Sequence, residues 1–210
     1  MILGAIAFRS SLEVTDHPRV AEVSQRLLPW LSEIGCESEL DPIERELLAT
    51  PLGQLSDSQK IDLHWAGEAA ALFCWMLHLG EPLNETSVTD QSVLPELLCI
   101  PRPEAKRIVQ SASLRDYSEI EDVCRQFVLV RSILQELRAD PPSRDIIRRV
   151  NVNELKRVGL VATDGAVKRA SEVVAHMTPQ ERSQVAGLYF VRSHAALWFL
   201  SDRGSYFGEG

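Results

Sequence analysis

The sequence predicts a mainly α-helical chain, read as a single compact multi-helix domain over residues 1–210 and built around three long helices. Three observations carry that reading. Helix-start signatures recur along the chain: Asp41-Pro42-Ile43-Glu44, Ser56 with Gln59, Ser118 with Glu121, and Thr178-Pro179-Gln180-Glu181 all place a capping side chain three residues before an acid or amide. Apolar residues recur at helical spacing over 57–79, 119–139 and 179–202. The composition, 45% hydrophobic and 25% charged, is that of a chain able to bury a core. Roughly eight to ten helices are expected.

In chain order, the apolar opening Met1–Phe8 fits either a first helix turn or a short N-terminal strand. Such a run does not separate the two states. It is short, has no basic n-region and meets Arg9 at once, so it reads as neither a signal peptide nor a membrane span. Asp16 and Pro18 introduce a helix bearing Val20, Val23, Leu27 and Leu28, with a kink or break expected at Pro29 and an end at Gly35. Asp41 caps a short helix that stops before Thr50-Pro51.

The longest clear element runs from Ser56 to Gly80, with Gly80 as its expected left-handed terminator and Pro82 preventing continuation. Ile61, Trp65, Leu72, Trp75, Met76 and Leu79 are placed on its apolar face, and Lys60, Asp62, Gly67 and Ala70 elsewhere. Short helices are expected over 91–98, interrupted by Pro95, and over 104–112. A subdomain junction, if present, falls between Gly80 and Pro103. Ser118 starts a helix that Asp140-Pro141-Pro142 ends, with Ile120, Val123, Phe127, Val130, Leu134 and Leu137 as its stripe. Ser143, Asn151 and Thr163 or Asp164 cap three further helices. Thr178 starts the last, whose face holds Val185, Leu188, Tyr189, Ala195, Ala196 and Phe199.

One residue breaks the pattern of the central helix. Glu68 falls in the apolar stripe, one turn after Trp65 and one before Leu72. A buried carboxylate needs a proton, an ion partner or hydrogen-bond donors. Arg192 lies in the apolar face of the last helix and Arg131 in that of the Ser118 helix. The simplest expectation is a buried Glu68–Arg192 ion pair, with Arg131 as competing or third member, since guanidinium binds carboxylate as a fork. The sharper reading makes Glu68 a general acid or base, with His64 one turn earlier as its neighbour.

The residues around Glu68 carry a family resemblance. Trp65-x-x-Glu68-Ala69, Leu72-x-x-Trp75-x-Leu77-x-x-Gly80, the earlier Glu44-Arg45 and Thr50-Pro51, Arg125 with Arg131, and Arg192-x-x-Ala195-Ala196-Leu197-Trp198 resemble the bacterial domain of unknown function 4272 family over roughly residues 26–200. Phe127-Val128 stands where that family often has His-Trp, and Asp202-Arg203 where it often has Trp-Asp. The resemblance implies a mostly helical fold and implies no activity.

Other chemistry is thin. Cys36, Cys74, Cys99 and Cys124 are scattered, which suits a reducing, cytoplasmic setting without disulfides. The five histidines include no His-Glu-x-x-His, and His64 with Glu68 makes only two of the ligands a metal needs, so no metal or other cofactor is expected. Nucleophile elbows and phosphate loops are missing from the sequence. Thirty acidic against twenty-two basic residues give a charge of −8, which argues against nucleic acid and against anionic membrane surfaces. Between Arg144 and Arg169 seven basic residues face three acidic ones, read as a solvated helix face. The expected function is non-catalytic, an accessory or immunity-like module that binds another protein, a second copy of the chain being one candidate. The alternative is a hydrolase-type enzyme using Glu68 in a cleft.

Overall fold

The computed structural model describes residues 1–137, 152–201 and 206. Among these residues the secondary structure is helical and no strand occurs. They divide into two compact units, Met1–Asn84 with Val88–Leu114, and Glu85–Ser87 with Arg115–Tyr206. The chain enters the second unit for Glu85–Ser87, returns to the first at Val88 and leaves it again after Leu114.

The first unit contains α1 (Ile2–Glu13), α2 (Val20–Glu33), α3 (Pro42–Ala49), α4 (Asp57–Met76), α5 (Leu94–Leu97) and α6 (Ala105–Ser111). The N-terminal stretch is therefore helix, not strand. Its small residues explain the choice: Gly4, Ala5 and Ala7 are buried, and α1 packs along α4, whose Ala66, Gly67, Ala69, Ala70 and Ala71 are buried as well. Two helices with small faces approach closely and exclude water along their length. A Cβ on Gly4 would stand 2.3 Å from the Leu98 side chain, so the glycine also opens a slot for the residue after α5.

The capping boxes of Asp41 and Ser56 form as the sequence requires. The Glu44 amide donates to Asp41 Oδ1 (2.8 Å), the Asp41 amide to Glu44 Oε2 (3.1 Å) and the Ser56 amide to Gln59 Oε1 (2.9 Å). Three expectations need correction. Helix α2 does not break at Pro29 but runs on to Glu33, with Gly35 at φ +81° just past its end as expected. The buried side of α4 is rotated from the expected stripe: Ile61 is 57% exposed, whereas Gly67 and Ala70 face the core. And α4 stops at Met76, because His78 takes the left-handed position expected of Gly80. At φ +58° it lets the His78 amide donate to the Trp75 carbonyl and the Leu79 amide to the Cys74 carbonyl, which closes a Schellman motif two residues early.

The second unit is built from α7 (Tyr117–Glu136), α8 (described over 152–157), α9 (Asp164–Ala175) and α10 (Pro179–Leu200). Helix α7 packs against both α9 and α10. The α7 start differs from the expected Ser118 cap: Asp116 caps, its Oδ1 accepting from the Ser118 amide at 2.8 Å. Both side chains cap well, but Asp116 also takes the Ser118 hydroxyl and so outcompetes it. Ile120, Phe127, Val130 and Leu134 of the expected stripe are buried, with Cys124, Val128, Leu129 and Ile133 widening it, whereas Val123 is half-buried and Leu137 at the end of the helix is 39% exposed. Thr163, one of the two expected candidates, caps α9, and Thr178 caps α10 as expected. The expected end of the Ser118 helix at Asp140, the Ser143 helix, the Asn151 cap and Gly204 lie outside the described residues.

Candidate binding groove and the buried charges

Glu68 is fully buried on α4, as its place in an apolar helix predicts. Its partners in the first unit come from an irregular segment. The Thr89 amide donates to Oε1 at 2.5 Å and the Thr89 hydroxyl to Oε2 at 3.1 Å. Each carboxylate oxygen thus holds a donor of one residue, and the segment is pinned onto the helix. Two residues on, Gln91 Nε2 donates to the His64 carbonyl at 2.7 Å. Gly67 is what admits it: a Cβ there would lie 2.2 Å from Gln91 Cδ. The His64 ring is exposed and stands edge-on to Trp65, with centroids 5.6 Å apart.

Arg192 belongs to the second unit and is fully buried on α10. Its Nη2 donates to the Ser87 carbonyl at 3.1 Å, and its guanidinium lies 5.8 Å from the centroid of Phe127. Arg131 on α7 is mostly buried. It donates to Ser193 Oγ at 3.3 Å, pairs with Glu154 at 3.7 Å and covers the Phe190 ring at 4.7 Å.

Two buried charges of the first unit escaped the sequence reading. Arg9 is fully buried, and Nη2 donates to the Thr50 carbonyl at 2.9 Å. Its Nη1 stands 2.6 Å from Glu13 Oε1, an ionic contact outside hydrogen-bond alignment. Glu13 Oε2 accepts from the Gly53 amide, so the pair ties α1 to the α3–α4 loop. The available signal was the i,i+4 spacing of Arg9 and Glu13. Glu44, read only as a capping residue, is also buried, and that burial pushes its carboxyl up to about 7. Burial likewise lifts the thiols of Cys74 to about 11 and Cys124 to about 12, so both act as small apolar groups.

The second unit carries an open groove of about 540 Å³. Helices α7 and α9, the N-terminal end of α10 and the chain at Glu85 and Thr86 form it. Val123, Val173 and Met177 give it an apolar floor, while Glu85, Asp122, Glu172 and Glu181 supply four carboxylates against the single arginine Arg169, with His176 alongside. Glu181 is kept ionised: the Thr178 amide, and after it the Thr178 hydroxyl, hold its carboxyl below the usual range. Asp122 is bridged by Arg125. The sequence marks none of these positions as a site: Val123 reads as part of a core stripe, Glu181 as a capping residue, and Glu85 as part of a polar irregular stretch.

Among the described residues no three histidine, cysteine or carboxylate side chains gather as a metal would need, and no helix is long and apolar enough to cross a membrane. Comparison with family models, with curated proteins and with solved structures finds no match to this chain.

Proposed function

We propose that this protein works without catalysis, as a module that binds another protein through the groove of its second unit. The observation that carries the reading is the groove's composition, an apolar floor ringed by carboxylates in excess of cations. A floor of that kind accepts an apolar side chain, and the ring favours lysine or arginine beside it. The occupant that fits is a short basic and apolar polypeptide segment. Supporting this over a hydrolase is the state of Glu68: an acid–base carboxylate must reach substrate, and this one is buried with both oxygens engaged by Thr89. The resemblance to the domain of unknown function 4272 family adds no activity to weigh against it.

Fluorescence anisotropy with a labelled peptide alternating lysine and leucine tests the reading. Binding is expected, weakening as salt rises, and Asp122→Asn with Glu172→Gln is expected to weaken it about tenfold. Equal affinity for a peptide alternating glutamate and leucine would overturn it.

A further inference from the structure

The chain between α4 and Gln91 is irregular and exposed over Asn84–Val88. Only Glu85, Thr86 and Ser87 of this stretch belong to the second unit, while the residues before and after belong to the first. Glu85 and Thr86 line the groove. Ser87, next in line, gives its carbonyl to Nη2 of Arg192, a residue 105 positions later that is fully buried and does not line the groove. The guanidinium is set in place over Phe127, whose ring meets Tyr189 edge-on at 5.9 Å. Two residues after Ser87, Thr89 is fixed to Glu68 through both its amide and its hydroxyl.

A segment with this little burial opens locally at small cost unless something holds it. A hydrogen bond from a buried cation to a carbonyl is stronger than one between neutral groups. We infer that Glu85–Ser87 is a movable wall of the groove and that buried Arg192 is its latch. Burial, and after it the charge of Glu85, push the Tyr189 hydroxyl up to about 12, with Arg192 acting in the opposite sense. Latched, the wall keeps the Glu85 carboxylate at the groove. Unlatched, it withdraws one of the four acidic groups. Arg192 is then a positioning residue that tunes occupancy without touching the occupant. This rests on the groove being the binding site.

The test is nuclear magnetic relaxation on the full chain. In the wild type the backbone order parameters of Glu85–Ser87 are expected near 0.85, as for rigid backbone, and in Arg192→Lys below about 0.6, with α7 and α9 unchanged. Lysine keeps the charge and loses the fork, so the fold has its best chance of surviving. Should that variant fail to fold, the wild-type values alone decide, since a wall already below about 0.6 has no latch. Unchanged order parameters in a folded Arg192→Lys would overturn the proposal. Adding the lysine–leucine peptide to the wild type separates the two readings. Shift changes at Glu85 and Thr86 support both, whereas a rigid wall that loosens in the variant but never responds to the peptide leaves the latch standing and removes the groove's proposed function.

Discussion

The carboxylates of the first unit and those of the groove in the second differ in how much water they keep. Glu68, Glu44 and Glu13 are buried or nearly so, and each is spent on holding backbone: the Thr89 amide, the Asp41 amide and the Gly53 amide. Glu85, Asp122, Glu172 and Glu181 line an open groove, where Glu181 also accepts from the Thr178 amide and Asp122 and Glu172 stand beside Arg125 and Lys168, but where all four remain in contact with solvent. What separates the sets is desolvation. A carboxylate taken out of water has to be repaid in hydrogen bonds from its own fold, and one left in water owes nothing and contributes little to stability.

The contrast can be broken by substitution, and the largest effect falls on Glu68. Glu68→Ala leaves the Thr89 amide without its acceptor, and a loss of about 3 kcal/mol is expected in chemical denaturation, with Glu68→Gln losing less. The sequence expectation of a Glu68–Arg192 pair is decided alongside it. A pair would make Glu68→Ala or Arg192→Ala less stable in thermal melts than a double apolar replacement, and additive losses would refute it.

Glu44 comes next and depends on pH. Its folded pKa lies above its unfolded value, so the stability it favours is present below about 4.5 and lost as pH rises through about 7. Glu44→Gln retains an acceptor for Asp41 and is expected to gain about 3 kcal/mol over wild type at pH 8 and nothing at pH 4. A pH-independent difference would show that Glu44 is not desolvated.

Gln91→Ala should cost about 1 kcal/mol, the hydrogen bond to His64. It should also convert Gly67→Ala from near neutral to stabilising by about 1 kcal/mol, since the side chain that a Cβ would strike is then gone. The smallest effect belongs to the groove: Glu172→Gln should change stability by less than about 0.5 kcal/mol while weakening peptide binding. A large loss there would erase the distinction between the two sets.

The sequence made part of this visible. Glu68 stood out because helical periodicity makes a charge in an apolar stripe conspicuous, and the caps of α3, α4, α9 and α10 stood out because their chemistry is local. Thr89 was hidden, since no period operates in the irregular segment that carries it. Gly67 read as off-stripe because the stripe was drawn through the tryptophans, while the real interface with α1 is made of small residues. The groove was invisible for a different reason. Its lining comes from α7, α9, α10 and the two residues Glu85 and Thr86 of the exposed segment, and no one of these segments is unusual alone.

Arg9 shows what such long-range closure means for folding kinetics. Its acceptor at Thr50 lies 41 residues along the chain, so the bond can form only after α1 has docked and the intervening loop has closed. Interactions completed late contribute little to the folding transition state and act mainly on escape from the native state. Arg9 therefore acts as a brake on unfolding: replacing it should leave the folding limb of a chevron nearly in place and raise the unfolding limb.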